Sequence, residues 1–281
     1  MLGKLLKHEF RATGRVMLPV FAVLAVLALL FNVSVRLIDN VSSTLLQVLF
    51  GLIIFAFVAG VIAAEIIALV LMINRFYKNL LGDQGYLMFT LPSTVHELVW
   101  SKLIVSFVWF LLTNLVIFLI IGGTVFSFAS VNLGEIFAQL PSWSEIQAGL
   151  AEAGVRGSDL ILIALEYLLF IILSGMTVCL HFYAAMSLGH CSSNHKVLYS
   201  VLFFIAISFG FSFLSSLLGA TGIRAVDNGA LESFFVNVET AGDPVRAFMA
   251  VIGGVAVWEL VQGAILYLLT TVSLKRHLNL A

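Results

Sequence analysis

The stretch TLLQVLFGLIIFAFVAGVIAAEIIALVLMI, Thr44 to Ile73, decides the fold class. It runs thirty residues with a single charge, Glu65. A helix needs roughly 20 apolar residues to cross a hydrocarbon core of about 30 Å, so this run is long enough to span a bilayer. Lipid offers the backbone no hydrogen bonds, so only helices and closed barrels are stable there. A barrel strand alternates apolar and polar residues, and this run does not.

Reading outward in both directions, five further runs share the pattern. The six spans are Val16–Val33, Thr44–Ile73, Leu103–Phe128, Leu160–Met186, Val197–Leu218 and Phe248–Val272. Over all 281 residues, 61% are hydrophobic and 10% charged, with a mean hydropathy of +1.12. A soluble domain carries about 25% charged residues, so no water-facing surface can be built here. Disorder, collagen, coiled coil and a disulfide scaffold are excluded by the same composition. Fourteen Lys and Arg against fifteen Asp and Glu leave a formal charge of −1, which speaks against nucleic acid as a partner. The expected fold is an all-α membrane protein: six transmembrane helices, an N-terminal interfacial helix and a cytosolic coupling helix. It forms a single transmembrane domain over 1–281.

Charge placement predicts the orientation. With the N-terminus inside, the inner segments hold Lys4, Lys7, Arg11, Arg15, Arg75, Lys78, Lys102, Lys196, Lys275 and Arg276. The outer ones hold Arg36, Arg156, Arg224 and Arg246. This is the positive-inside asymmetry, and six spans return the C-terminus to the cytoplasmic side. The outer acids Asp39, Glu135, Glu145, Glu152, Asp159, Asp227, Glu232, Glu239 and Asp243 agree but carry little weight. No cleavable signal peptide is expected, because the first apolar run is long and no small-x-small site follows it. In residues 1–15, MLGKLLKHEFRATGR, Leu2, Leu5, Leu6 and Phe10 share a helical face beside basic residues. That suits a helix lying in the interface and attracted by anionic membrane lipid. Residues 129–159 and 220–247 are expected to be extracytoplasmic loops. The first holds an amphipathic piece, Leu140–Ala153, opened by Pro141. The second is broken by Gly222, Gly229, Gly242 and Pro244. Gly60 and Ala64, four apart, would allow close helix approach.

Residues 74–102 are the least ordinary inner connection. From Arg75 the sequence reads RFYKNLLGDQGYLMFTLPSTVHELVWSKL, ending at Leu103. Phe76, Leu80, Leu81, Tyr86, Leu87, Met88, Phe89 and Leu91 would be out of place in a solvated tether. Gly82-Asp83-Gln84-Gly85 signals a turn, and Leu91-Pro92 forces an extended residue. Thr94 followed by Glu97 is a capping box opening a new helix. Exposed apolar surface on such a loop marks a protein partner; packing on the protein's own helices or on lipid is the competing reading.

The string FYKNLLGDQGYLMFTLP followed by STVHELVWSKL resembles the membrane subunit of bacterial ABC transporters, of the type-2, exporter-like permease class. The basic start, the six spans and the short inner loops are similar to that frame along the whole chain. The resemblance implies that this loop is a coupling element docking on an ATPase subunit. It gives Gly82, Asp83, Gly85, Tyr86, Leu91, Pro92 and Glu97 places in or beside that element. It further implies two ABC ATPase chains, a second permease subunit, identical or not, and a bacterial plasma membrane location. The chain has no G-x-x-x-x-G-K-[ST], so ATP and Mg²⁺ are expected on the partner ATPase and none is held here.

Glu65, Glu166 and Glu259 fall within spans, where a carboxylate usually faces a partner or a wet cavity. No span contains a matching Lys or Arg. These acids either line a substrate path or are structural groups between helices. His190, Cys191 and His195 cluster in an inner loop but lack four ligands at a zinc spacing. His181 is expected to serve helix packing. Cys179 and Cys191, about 18 Å apart on an unbroken helix, are expected to be free thiols. No metal site is expected. His96-Glu97 lacks the second histidine of a zincin, and Ser174-Gly175 lacks a nucleophile elbow, so the chain is not expected to be an enzyme. Tyr77, Tyr86, Trp100, Trp109, Trp143 and Trp258 are interface anchors or packing residues. Two alternatives remain: a gradient-driven secondary transporter using the intramembrane glutamates, and a non-transporting membrane scaffold. The substrate is not legible, although apolar spans favour an amphiphile.

Overall fold

The computed structural model describes residues 2–38, 41–82, 84–90, 93–128, 142, 144–145, 148–149, 157–192, 195–227 and 244–276. Among these the regular structure is helical. The long helices are α1 (Leu2–Ile38), α2 (Thr44–Phe76), α4 (Val95–Phe128), α5 (Gly157–Gly189), α6 (Lys196–Asp227) and α7 (Pro244–Arg276). A π-helical turn, Tyr77–Leu81, continues α2, and a short helix α3 (Gln84–Thr90) follows. All six long helices are long and apolar enough to cross a membrane. Each of the six apolar runs falls inside one of them. Many of their large apolar side chains face outward: Leu45, Phe55, Phe118 and Phe209 are more than 70% exposed.

Three boundaries differ from the sequence reading. Residues 2–15 are not a separate interfacial helix. They are the first turns of α1, which runs unbroken for 37 residues. Pro19 sits inside it and removes one backbone bond, to the Arg15 carbonyl, without ending it. The reason is tertiary: Glu9, Thr13, Gly14 and Met17 are buried on the same side of the helix as Leu24 and Ala28, so one face continues through the proline. Helix α6 runs past Leu218 to Asp227, through Gly222, and α7 opens at Pro244, where a missing N–H costs nothing. Of the expected loops, residues 129–141, 143, 146–147, 150–156 and 228–243, with Glu135, Glu152, Arg156, Glu232, Glu239 and Asp243, lie outside the described residues, as does Asp39.

The chain divides into two compact units, Met1–Leu140 and Pro141–Ala281. In the first, α1, α2 and α4 contact one another pairwise. Ala64, Ala68, Met72 and Phe76 recur every fourth residue on α2 and are buried, so they form one ridge. Gly60 begins that ridge: a Cβ there would meet Leu27 Cδ1 at 2.8 Å and Leu24 Cδ2 at 3.7 Å. The small pair Gly60 and Ala64 therefore faces α1. Small residues matter because lipid is as apolar as leucine, so helices associate through close packing. Phe31 and Phe57 meet along the same seam with tilted rings, their centroids 4.5 Å apart.

In the second unit α5 is the centre and contacts both α6 and α7. Its buried residues are Cys179, Leu180, Tyr183, Ala184, Ala185 and Met186, with Leu266 and Thr270 of α7. Thr177 Oγ1 donates to the Glu259 carbonyl of α7 at 3.3 Å and lies 3.2 Å from where a Cβ on Gly263 would be. His181 meets Phe204 and Phe211 of α6 edge-on, which is the packing role its sequence position suggests.

Candidate functional site

The connection from α2 to α4 is built from local rules. Gly82 closes the π turn: its N–H donates to the Tyr77 carbonyl at 2.8 Å, a bond spanning five residues. A Cβ on Gly82 would lie 3.3 Å from the Lys78 carbonyl oxygen, so the site favours glycine. Gly85 N–H then donates to the Gly82 carbonyl at 2.8 Å, which is the expected turn. The chain continues as α3, where Gly85 is buried and Leu87 is 72% exposed. Tyr86 lies on α3, but its side chain falls outside the described residues, as do Asp83, Leu91 and Pro92.

The capping box is present. Thr94 N–H donates to Glu97 Oε2 at 3.1 Å, and Glu97 N–H donates to Thr94 Oγ1 at 3.3 Å. Two otherwise unpaired N–H groups at the start of α4 are thus satisfied. A second box, which the sequence reading left unmarked, joins Ser142 and Glu145. Ser142 N–H donates to Glu145 Oε2 at 2.6 Å, and Glu145 N–H donates back to Ser142 Oγ at 3.3 Å. The Ser142 donors hold the Glu145 carboxyl below its ordinary range.

Two turns into α4 lies the polar centre of the first unit. Lys102 Nζ donates to Glu9 Oε1 and forms an ion pair across 93 residues of sequence. Asn79 Nδ2, from the π turn, donates to the same oxygen at 3.2 Å. Glu9, Asn79 and Lys102 are 8%, 6% and 3% exposed, so the cluster is shielded. One turn along α1, Thr13 Oγ1 donates to the Glu9 carbonyl at 2.8 Å and accepts from Trp109 Nε1 at 2.6 Å. Phe10 and Phe21 flank the Trp109 ring. Glu9, Thr13, Lys102 and Trp109, with Met17, Met72, Arg75 and Ser106, line a cleft of about 10 Å³, room for one water at most. An unpaired buried charge is prohibitively costly, so Glu9 and Lys102 each require the other.

The cluster was missed in sequence because the two charges are 93 residues apart: Lys102 was read as an inner basic residue and Glu9 was given no role. Lys102 lies inside the apolar helix that includes the third span. It stands one residue before the expected third span, and its partner is Glu9. A signal was available. Glu9 follows Leu5 and Leu6 by one turn and precedes Thr13 and Met17, so it interrupts an apolar face. Asn79 carried no such signal, because its aim depends on the π turn.

The three intramembrane glutamates are divided between the two units. Glu65 of α2 is half-buried in the first unit. Glu166 of α5 and Glu259 of α7 are half-buried in the second. Glu166 Oε2 is sealed from solvent with no hydrogen-bond partner, and its Oε1 lies 3.9 Å from where a Cβ on Gly253 of α7 would be. Glu166 thus looks onto a glycine of the neighbouring helix.

Beyond α5, His190 is buried, and its Nδ1 lies 2.9 Å from the Met186 carbonyl. Burial, and to a lesser degree the Lys196 charge, pushes its imidazole below the ordinary value. Cys179 and Cys191 are both free. Among the described residues no three His, Cys, Asp or Glu side chains are grouped to hold a metal ion.

Comparison with protein-family models, with curated proteins and with solved structures gives no match to this chain.

Proposed function

We propose that the chain is the membrane-spanning permease subunit of an ATP-driven ABC transporter of the exporter-like type. ATP is hydrolysed by separate ATPase chains. The permease pairs with a second permease subunit, and its termini lie in the cytoplasm of a bacterial cell. The observation that carries the reading is α3. It is a seven-residue helix slung between the π turn and the capped start of α4, and it presents Leu87 to the surroundings. The resemblance of residues 76–103 to a coupling element supports the same assignment, as do the six apolar helices. Closure of the ATPases would push on α3, and the push would reach α2 and α4 directly. Such helices can then swing between two packings and open a path to one side at a time.

The test is purification of the full chain from its native membrane. An ATPase of this class should co-purify, and Leu87→Asp should reduce the retained ATPase at least about tenfold, as loss of a central apolar anchor does. Purified complexes without any ATPase would sink the assignment.

A second reading is gradient-driven transport through intramembrane carboxylates. Glu166 favours it, because its Oε2 has no partner. Flux that follows pH or membrane potential, ignores ATP and disappears in Glu166→Gln would establish this reading in place of the first.

A further inference from the structure

The Asn79–Glu9–Lys102 cluster joins three elements at one oxygen atom: α1, the π turn and α4. Its two contacts are unequal. Lys102 is a charge matched to a charge, whereas Asn79 is a neutral arm whose bond can be exchanged. Stability alone is a poor account of the arrangement. A buried ion pair replaced by apolar residues of similar volume is often as stable or more so. What polar groups supply is register, because they accept only one alignment of their helices.

The backbone beside Asn79 is the second observation. Residues 77–81 form a π turn, with the Gly82 N–H on the Tyr77 carbonyl. A π turn holds one residue more than an α turn, and such turns gather at functional sites. If the turn tightened to α geometry, the chain beyond it would rotate by about 100°. Asn79 would leave Glu9, and α3, which starts three residues after Leu81, would be turned with it. Leu80 and Leu81, the neighbours of Asn79 in the turn, are themselves buried, at 0% and 4% exposed, so the wide turn is packed in place.

We propose that Asn79 is a latch that holds the π turn open on the fixed Glu9–Lys102 pair and thereby sets the position of α3. With the latch closed, α3 is held in the orientation described. With it released, the turn tightens and α3 rotates. The inference concerns the first unit alone and holds whatever α3 touches.

The experiment uses the full chain in lipid nanodiscs, with spin labels at Leu87→Cys on α3 and Val16→Cys on α1 and with Cys191→Ser. Pulsed electron spin resonance reads the distance between labels. Asn79→Leu should displace or split the distribution by about 3 Å or more, the chord swept by a Cα on a 2.3 Å cylinder through that rotation. Glu9→Gln keeps a carbonyl acceptor for Asn79 and removes the ion pair. It should lower the melting temperature and leave the distribution in place. If Asn79→Leu does not fold, Asn79→Ser, too short to reach Glu9, takes its place with the same expectation. An unchanged distribution in the Asn79 variant would overturn the latch. So would an equal displacement in Glu9→Gln, because the ion pair alone would then position α3.

Discussion

The backbone of Ser200 on α6 lies against Gly189, the last residue of α5. A Cβ at position 189 would sit 2.5 Å from the Ser200 nitrogen and 2.7 Å from its Cα. Both are backbone atoms, so neither can turn aside as a side chain would. Gly189→Ala should therefore destabilise the second unit by about 1–3 kcal/mol, the usual cost of overpacking. Gly210, in the middle of α6, is the control, since nothing lies within 4 Å of a Cβ there. Gly210→Ala should be neutral or raise stability by up to about 1 kcal/mol. Thermal melts of the two variants in one detergent decide the matter, and equal melting temperatures would refute the contact.

The Glu9–Lys102 pair makes a second prediction. Lys102→Met leaves a shielded carboxylate without its cation, and Glu9→Leu leaves the reverse. Each single variant should cost about 3–5 kcal/mol, and the double variant should recover most of that. The coupling energy from a double-mutant cycle is the measurement. Additive losses would mean that the two side chains do not sense each other.

The contrast between these sites explains what sequence can disclose. The six spans were legible because a run such as Thr44–Ile73 has only one way to satisfy its backbone in lipid. The Thr94–Glu97 box was legible because both partners lie within one turn. The pair Glu9 and Lys102 needed knowledge of which helices touch, and Asn79 needed a π turn that no residue pattern announces. The continuity of α1 was hidden for a related reason. The basic residues and apolar face of residues 1–15 argued for a separate interfacial helix, and the buried face from Glu9 to Ala28 outweighed them.

Stability should depend on pH through His190. Burial holds its imidazole below the ordinary 6.5, so the folded protein keeps it neutral where the unfolded chain would take a proton. Above 6.5 both states are neutral and the term vanishes. As pH falls below 6.5 the unfolded state gains protons first, and stability drops. Lys196, across the α5–α6 connection, acts in the same direction, and Cys191 beside it is uncharged in this range. The melting temperature should fall between pH 6.5 and 5, and more steeply than in His190→Gln. Parallel curves for the two proteins would remove His190 from the account.

Cys191 offers a direct test of orientation. It is exposed just past the end of α5, whereas Cys179 is 1% exposed within the helix. Burial raises the Cys191 thiol from its ordinary 9.0, and a hydrogen bond with the Ser273 side chain draws it part of the way back. The thiolate is the reacting form, so labelling should be slow at pH 7 and accelerate toward pH 9. In purified protein at pH 8.5, a maleimide should modify one cysteine before denaturation and two after it. In intact cells a membrane-impermeant maleimide should modify neither, because the proposed topology places the α5–α6 connection in the cytoplasm. Permeabilising the cells should expose Cys191 alone. Labelling of Cys191 in unbroken cells would invert the proposed topology, and with the termini and α3 outside the cytoplasm no ATP-hydrolysing partner could reach α3.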